Sequence, residues 1–222
     1  AAVAALMTRN PAADAALEQD RLGLAIADNV LTDWVQANGL GNIDADRMAR
    51  LLDIPGTGPV VDRDRAILEL LYSSGLRLSE LTDLNCGDVD MDDATVRVTG
   101  KGNKDRIVPV GRKALQALRQ WNSSRVRLAA VDEKAMFVSK RGTRISTRSV
   151  QARVTHWARQ QGIDTTVYPH LFRHSFATHL LESSHDLRGV QELLGHSNIA
   201  TTQVYTHLDF QHLAQIYDQT HP

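Results

Sequence analysis

Cysteine is nearly absent from this sequence of 222 residues, which contains only Cys86. An internal disulfide is therefore excluded, and a reducing compartment, the cytoplasm, is expected. No apolar run approaches the roughly 18–20 residues that a membrane-spanning helix needs. The Ala-rich stretch 1–20 lacks the basic segment and the long apolar block of a signal peptide. We therefore expect a cytoplasmic protein without a membrane segment.

A surplus of positive charge is also missing, since the net charge is -1 at pH 7 and the isoelectric point is about 6.8. Taken alone, this balance argues against a protein that binds nucleic acid. The charges are unevenly distributed, however, with a net charge of -4 over residues 1–60 and of +3 over residues 61–222. The cations of the second part cluster at Lys101, Lys104, Arg106, Lys140, Arg141, Arg144, Arg148 and Arg153. Because the local field decides whether a phosphate backbone is attracted, nucleic acid stays among the partners to consider.

The spacing of apolar residues predicts an α+β fold that is mainly α. The predicted helices cover residues 2–37, 43–53, 61–73, 78–84, 112–121, 147–162, 171–182, 187–194, 199–206 and 210–218. Two alternating segments joined by GKGNKD predict a β-hairpin over residues 95–110, and AMFVS predicts a short strand at 135–139. Residues 1–42 are interpreted as a helical N-terminal segment, and residues 43–222 as one domain with a small antiparallel sheet.

Local signals predict where several of these helices begin and end. Gly75 is expected to end the helix 61–73. The first turn of that helix, residues 62–65, is expected to be exposed, while its apolar residues face inward. Arg77 directly precedes the next helix, so its side chain would be held at a helix start. Asp44 and Ser146 are expected to cap the helices that follow them.

Two arginines have the chemistry to bind a phosphodiester, since a guanidinium offers a planar fork of donors and stays charged. Arg77 follows a glycine at a helix junction, and Arg173 lies one helical turn after His170. An isolated arginine is more often one half of a surface ion pair. The positions of Arg77 and Arg173 favour the functional interpretation, and both are candidate catalytic residues.

Tyr205 is the candidate nucleophile of such a site, although a lone tyrosine is commonly a packing residue. A phenol has a pKa of about 10, so attack on phosphorus needs a base or a cationic site that favours phenolate. His170 and His196 are the candidate histidines, and His196 follows Gly195, which is predicted to end a helix. Lys101 could protonate a leaving oxygen from the hairpin turn, although a lysine there is usually solvated.

The sequence offers only weak signals for zinc or for a nucleotide cofactor. His170 and His174 have the i,i+4 spacing of zinc ligands. However, the glutamate of the HExxH motif is missing, and Arg173 between the two histidines would repel a metal ion. The loop GKGNKD does not match the Walker A pattern of nucleotide-binding proteins. The sequence therefore predicts no metal site and no cofactor.

Five blocks of the sequence resemble the catalytic domain of the tyrosine recombinases, and within that family the Xer group of chromosome-dimer resolvases. The blocks are SSGLRLSEL, VTGKGNKDRIVPVG, HLFRHSFATHLLESS, DLRGVQELLGHSNIATTQVYTH and the final LDFQHLAQIYDQTHP. The resemblance covers residues 43–222, and six functional positions follow one another in the family's order. It implies the fold of that catalytic domain.

For the phosphate, the resemblance implies that Tyr205 is the nucleophile and forms a 3′-phosphotyrosyl link to DNA. Arg77 and Arg173 would hold the phosphate, with His196 assisting. Because the covalent link conserves the energy of the phosphodiester bond, the chemistry would need neither ATP nor a metal ion.

For the proton transfers, the resemblance implies that Lys101 protonates the departing 5′-hydroxyl and that His170 acts as acid or base toward Tyr205. Further cations are expected to contact the DNA: Lys104, Arg106, Arg141, Arg144 and Arg148. Lys104 and Arg106 follow Lys101 closely in the sequence, and we interpret them as phosphate clamps.

The resemblance also implies partners. The family works as a tetramer on two DNA duplexes, and the Xer group implies a dif-type site, an XerD-type recombinase and an FtsK-type translocase. The final block resembles the partner of XerD-type proteins. The family's N-terminal DNA-clamping domain has no match in residues 1–42. Two other functions stay open: a DNA-binding or interaction fragment without catalysis, and a strand transferase like the type IB topoisomerases, against which the final block argues.

Overall fold

The computed structural model describes residues 43, 45–100, 105–163, 167 and 169–184, and the following account concerns these residues. The chain divides between Asn42 and Ile43 into two units, and every described residue belongs to the second. The assignment of 1–42 as a separate segment therefore stays a prediction. Outside the described residues lie the cap Asp44 and the predicted helices 2–37, 187–194, 199–206 and 210–218.

Six α-helices, three short strands and one 3-10 turn (Cys86–Asp88) form the regular structure of the described residues; the helices and strands are numbered here. In order they are α1 (Ala45–Leu52), α2 (Pro59–Ser74), α3 (Leu78–Asp83), β1 (Val89–Asp90), β2 (Thr95–Thr99), β3 (Asp105–Pro109), α4 (Arg112–Arg125), α5 (Thr147–Gln160) and α6 (Pro169–Ser184). The predicted α+β class, mainly α, is confirmed. Within the described ranges, no helix is long and apolar enough to cross a membrane.

Helix α2 lies at the centre of the packing. Pro59 occupies its first turn, where a backbone N–H has no helical partner to lose. Gly75 ends it at φ 55° and ψ 30°, a left-handed conformation that glycine adopts readily. Most of the residues between them are buried, and the helix packs against α4 and α6. The predicted end at Gly75 and the inward apolar face are confirmed.

The start of α2 is buried, so the prediction of an exposed first turn is wrong. Asp62, Arg63 and Asp64 are only 5%, 3% and 1% exposed. Arg63 donates to Oδ1 of Asp64 through Nε at 3.1 Å and Nη2 at 2.7 Å, and its Nη1 donates to the Val138 carbonyl oxygen at 3.0 Å. Asp62 accepts a hydrogen bond from the Ser124 hydroxyl. Because Ser124 and Val138 lie 62 and 75 residues away in the sequence, local spacing gives no sign of these partners.

Asp64 also joins α2 to α5. Its Oδ2 accepts hydrogen bonds from Arg153 Nε at 2.6 Å and from Trp157 Nε1 at 3.0 Å. The Arg153 guanidinium lies over the Trp157 ring, 5.4 Å from its centroid. Both oxygens of this buried carboxylate are therefore satisfied inside the protein. Arg63, Asp64 and Arg153 thus form an ionic network that links the start of α2 to α5, and the neighbouring hydrogen bond between Asp62 and Ser124 links it to α4. We call these four charged residues, Asp62, Arg63, Asp64 and Arg153, the buried ionic network.

The three strands form an antiparallel sheet in the order β1-β2-β3. In the hairpin, Val96 pairs with Val108 and Val98 pairs with Arg106. The three valines are buried, as the alternation requires. The predicted hairpin is confirmed. Strand β1 was not predicted, because two residues are too few to show a period.

The prediction of a strand at residues 135–139 is wrong. This segment forms only the isolated bridges Asn85–Ala135 and Val138–Arg144. Side chains bind two of its carbonyl groups in place of a strand ladder: Trp121 Nε1 donates to the Met136 oxygen at 2.9 Å, and Arg63 Nη1 donates to the Val138 oxygen. The apolar side chains of residues 135–138 are nevertheless buried in the core.

The remaining helices agree with the prediction apart from their ends. Helix α4 runs to Arg125, four residues further than predicted, and α6 begins at Pro169. The predicted cap of α5 is confirmed, because the Ser146 hydroxyl accepts a hydrogen bond from the Ser149 N–H at 3.2 Å.

The variant Asp64→Ala should destabilise the protein by about 3–5 kcal/mol, because removing one partner of a buried ion pair leaves the other charge buried and unpaired. Denaturant titration followed by circular dichroism measures the free energy of unfolding. Asp83→Ala, at an exposed position of α3, is the control and should change that free energy by less than about 0.5 kcal/mol. Equal effects of the two substitutions would contradict a stabilising role of the network.

Candidate functional site

The candidate site includes the short connection between the end of α2 and the start of α3. After Gly75 the chain turns, and Arg77 is the N-cap residue of α3 in an extended conformation, with φ -69° and ψ 150°. Glu80 occupies the third position of the helix, and its Oε2 accepts a hydrogen bond from the Arg77 backbone N–H at 2.8 Å. This return bond from the N3 carboxylate is half of a capping box, and it holds the Arg77 backbone in place.

The Glu80 carboxylate binds two guanidinium groups. Arg77 Nη1 donates to Oε1 at 2.8 Å. Arg106, on β3, approaches as a fork, with Nη1 donating to Oε1 at 2.7 Å and Nη2 donating to Oε2 at 2.9 Å. The Glu80 side chain is only 3% exposed, against 35% for Arg77 and 16% for Arg106. One buried carboxylate therefore orients two arginines that come from a helix and a strand.

Burial alone would raise the pKa of Glu80, but the hydrogen bonds from the Arg106 side chain and the Arg77 backbone outweigh it. Together with the positive charge of Arg106, they lower the pKa to about 2. Glu80 is therefore ionised at neutral pH. Its negative charge is a permanent part of the site.

Arg173 adds a third guanidinium from α6. Its Nη1 donates to the Gly75 carbonyl oxygen at 2.6 Å, so the left-handed end of α2 also positions this side chain. Burial, and then repulsion from Arg77, lower the pKa of Arg173 to about 10. It stays protonated at neutral pH, although its surroundings disfavour the charge. An anion placed beside it would relieve that penalty.

Arg77, Glu80, Arg106 and Arg173 together form what we call the arginine cluster. Three guanidiniums and one carboxylate give this group of four side chains a net charge of +2. The cations are held before any ligand arrives, which is the arrangement that stabilises charge on a bound phosphate. The structure thus brings together two predicted catalytic arginines and one predicted DNA contact.

The positions predicted for the other catalytic residues are not tested by the described part of the structure. Lys101, His196 and Tyr205 lie outside the described residues, as does the predicted DNA contact Lys104. The backbone of His170 lies on α6, one turn before Arg173, as the sequence predicts. The catalytic roles of these residues stay predictions.

The remaining predicted DNA contacts differ in their surroundings. Arg141 and Arg148 are exposed. Arg144 is half-buried, and its guanidinium is used inside the protein: Nη1 donates to the carbonyl oxygens of Thr82 and Leu84 at 2.7 and 2.9 Å. These bonds close the end of α3, because they satisfy carbonyl groups that a helix end leaves without partners. Arg144 therefore has a structural role at the end of α3, and its predicted contact to DNA stays a prediction.

Glu80 is the functional residue that the sequence reasoning missed. A signal for it was present, because it stands three residues after the predicted helix start at Arg77, which is the capping-box spacing. Its second partner, Arg106, lies 26 residues further along the chain. No local pattern predicts that contact.

A metal ion has no evident place in this part of the protein. Among the residues that the structure describes, no three histidine, cysteine, aspartate or glutamate side chains are grouped closely enough to hold one. The cations of the arginine cluster would themselves repel a metal ion.

Comparison with known proteins gives a family match over residues 42–212, to the phage integrase family. The tyrosine recombinase XerC of Haemophilus ducreyi is 58% identical over 181 residues, which are 82% of this chain and 59% of that protein. XerC of Shewanella oneidensis is 56% identical over the same share of each chain. The chain therefore spans about 59% of the length of these curated relatives.

Solved structures show the same fold. The XerA recombinase is 34% identical, with a TM-score of 0.66 over 82% of this chain and 65% of that one. The XerH site-specific recombinase, bound to a palindromic difH substrate in a post-cleavage complex, is 27% identical, with a TM-score of 0.62 over 78% of this chain and 51% of that one. The mainly α fold with its small antiparallel sheet is thus shared with recombinases.

The variant Glu80→Gln should lower the free energy of unfolding at pH 7 by on the order of 3 kcal/mol, from the displacement of the Glu80 pKa from 4.5 to about 2. A lowered pKa stabilises the folded state above the unfolded value, and that contribution is lost as the pH falls from 4.5 toward 2. The difference between wild type and variant should therefore shrink by about half at pH 3. Denaturant titrations at pH 7 and pH 3 measure it, and a difference independent of pH would contradict this assignment.

Proposed function

The chain belongs to the phage integrase family, and on this premise we propose that it is a site-specific tyrosine recombinase that cleaves and rejoins DNA. The observation that carries the proposal is the arginine cluster, in which Arg77 and Arg106 bind one buried carboxylate and Arg173 lies close enough to interact with it electrostatically. A phosphodiester is the anion that such a cluster suits, since guanidinium forks match the geometry of phosphate oxygens.

In the proposed reaction, Tyr205 attacks the scissile phosphorus and loses its phenolic proton to His170. A bond forms between the tyrosine oxygen and phosphorus, and the bond from phosphorus to the 5′ oxygen breaks. The departing 5′ oxygen takes a proton from Lys101. Rejoining reverses these steps with a 5′-hydroxyl as the nucleophile, so the proposed reaction consumes no cofactor.

The cations have a separate task in this proposal. Charge on the non-bridging phosphate oxygens increases as the tyrosine attacks, and donors that are already in place stabilise it without reorganisation. Arg77 and Arg173 would supply these donors, with His196 assisting. Glu80 would keep Arg77 oriented while the strands are exchanged.

For the substrate, we propose a dif-type site in chromosome dimer resolution, with an XerD-type recombinase as partner in a heterotetramer and an FtsK-type translocase as regulator. The names of the curated relatives and the difH complex of XerH support this choice. The exposed Arg141 and Arg148, together with Lys104, are the proposed contacts to the DNA backbone. Each such contact should add to the salt dependence of binding.

The purified chain should form a covalent adduct with a nicked dif-type suicide duplex, from which the religating strand is lost. Tyr205→Phe should abolish the adduct, because phenylalanine has no oxygen to attack phosphorus. Denaturing gel electrophoresis of end-labelled DNA measures adduct formation, with and without an XerD-type partner.

An adduct formed by Tyr205→Phe would show that another residue is the nucleophile. Filter binding of the duplex without any adduct would instead favour a DNA-binding fragment without catalysis. Relaxation of supercoiled plasmid that lacks a dif-type site would favour a topoisomerase-like strand transferase. Tyr72→Phe is the matched control, because Tyr72 is buried in α2 and should leave the adduct unchanged.

The variant Arg77→Lys should form the adduct roughly 100-fold more slowly, because an ammonium group replaces a fork of donors at the developing charge. Single-turnover cleavage of the suicide duplex measures the rate. Arg97→Lys is the control, since Arg97 is 58% exposed and pairs at the surface with Asp88. A near-normal rate for Arg77→Lys would remove Arg77 from the proposed site.

A further inference from the structure

Two exposed cations, Lys140 and Arg141, follow one another in the tight turn 139–144, which we call the basic turn. The Gly142 N–H donates to the Ser139 carbonyl oxygen at 3.0 Å. The Ser139 hydroxyl also accepts a hydrogen bond from the Arg141 N–H at 3.1 Å. The backbone that carries both cations is therefore held by hydrogen bonds within the turn itself.

Gly142 fits the basic turn closely against the segment 128–130, which follows the end of α4. Its backbone has φ 85°, in the left-handed region, and its carbonyl oxygen accepts a hydrogen bond from the Ala130 N–H at 2.9 Å. A β-carbon at this position would lie 2.7 Å from the Leu128 carbonyl oxygen and 2.8 Å from the Ala130 nitrogen. Because both are backbone atoms, a side chain here would push the turn away from the segment.

The other end of the basic turn is held by Glu133 and Arg144. Glu133 Oε2 accepts a hydrogen bond from the Arg144 N–H at 3.0 Å, and Oε1 accepts one from the Ala135 N–H at 2.9 Å. These bonds lower the pKa of Glu133, and the Ala135 N–H is the largest cause. The Arg144 guanidinium in turn binds two carbonyl oxygens at the end of α3. The basic turn is therefore fixed on two sides, at Gly142 and at Arg144.

Helix α3 connects the basic turn to the arginine cluster. Arg77 lies at the start of this helix, and the carbonyl oxygens that Arg144 binds lie at its end. A helix of six residues is about 9 Å long. A DNA duplex carries one phosphate charge per roughly 1.7 Å of its axis. A duplex with one phosphate at Arg77 would therefore present further phosphates over the length of α3.

We propose that Gly142 and Glu133 are positioning residues, which hold Lys140 and Arg141 in a fixed direction for contact with the DNA backbone. The inference rests on the proposed function, because it needs a bound duplex, and it adds Lys140 to the proposed contacts. Gly142 has no side chain and Glu133 is an anion, so both act through the cations beside them. Cations that are ordered before binding lose less conformational freedom when DNA arrives.

The variant Gly142→Ala tests this inference without changing any charge. Each lost phosphate contact should lower the slope of log K against log salt by about 0.9. The double variant Lys140→Ala/Arg141→Ala should therefore lose about 1.8 in slope and roughly 10- to 100-fold in affinity at about 0.1 M salt. Gly142→Ala should lose at least half of that slope. Fluorescence anisotropy of a labelled dif-type duplex with the full chain, between about 50 and 200 mM salt, measures both quantities.

Two further measurements separate positioning from a general structural defect. Gly142→Ala added to the double variant should weaken binding by less than about 3-fold more, because the cations that Gly142 positions are already gone. At saturating enzyme, Gly142→Ala should form the covalent adduct within about 3-fold of the wild-type rate, since the arginine cluster is unchanged. Affinity is thus lost while the chemical step is kept.

Gly56→Ala is the matched control. Gly56 has φ 94°, close to that of Gly142, but a β-carbon there would meet nothing within 4 Å. The substitution therefore introduces the same kind of backbone strain without displacing a neighbouring segment, and it should bind DNA as wild type does. Circular dichroism and thermal unfolding verify that every variant is folded.

Glu133→Gln tests the inference by the sign of its effect. Removing a negative charge beside the basic turn should by electrostatics alone tighten the binding of DNA. A glutamine has one acceptor oxygen in place of two, so it can keep only one of the bonds to Arg144 and Ala135. We expect binding to weaken by roughly 3- to 10-fold, up to the value of one phosphate contact. This variant decides the matter if Gly142→Ala does not fold.

The outcomes distinguish this inference from the proposed function. Wild-type binding by Gly142→Ala, a loss that adds in full to that of the double variant, or unchanged or tighter binding by Glu133→Gln would each overturn the positioning role. If Lys140→Ala/Arg141→Ala keeps the wild-type slope, the basic turn does not contact DNA, and the inference fails while adduct formation by the wild type still supports the proposed function. If the wild type neither binds the duplex nor forms an adduct, both are rejected.

Discussion

The ion pairs of Glu80 are the interaction on which the arginine cluster depends. Two carboxylate oxygens accept four hydrogen bonds, two from Arg77 and two from Arg106. Guanidiniums held close together repel one another, and after burial this repulsion is the next cause that lowers the pKa of Arg173. A buried carboxylate among them offsets that repulsion and sets their directions. The site is therefore assembled before an anion binds, which is the condition for electrostatic stabilisation without reorganisation.

Helix α2 supports this arrangement through its two ends. At its start, the buried ionic network holds the helix against α4 and α5 through Ser124, Arg153 and Trp157. At its other end, the left-handed turn at Gly75 presents a carbonyl oxygen to Arg173 and leads directly to the cap residue of α3. A helix that is fixed at one end and packed along its length can place both arginines with little freedom. The buried ionic network and the arginine cluster therefore depend on the two ends of the same helix.

Sequence patterns predicted those features of the fold and of the site that depend on residues close together in the chain. The hairpin follows from alternation, the end of α2 from Gly75, the cap of α5 from Ser146, and the helix-start position of Arg77 from the residues around it. The patterns failed where a charged side chain finds a distant partner. Asp64 was expected in an exposed turn, because charge near a helix start usually faces water, yet its partners on α5 make burial favourable.

By itself, the sequence determined the chemical inventory: which residues can bind a phosphate, where the helices and the hairpin lie, and which family the motifs resemble. Only the tertiary structure decided which charges meet. It pairs Arg106 with Glu80, and it directs the Arg144 guanidinium to the Thr82 carbonyl oxygen at the end of α3. The reason is physical. Backbone preferences and capping act over a few residues, whereas an ion pair depends on a distance that is set by packing between segments far apart in the chain.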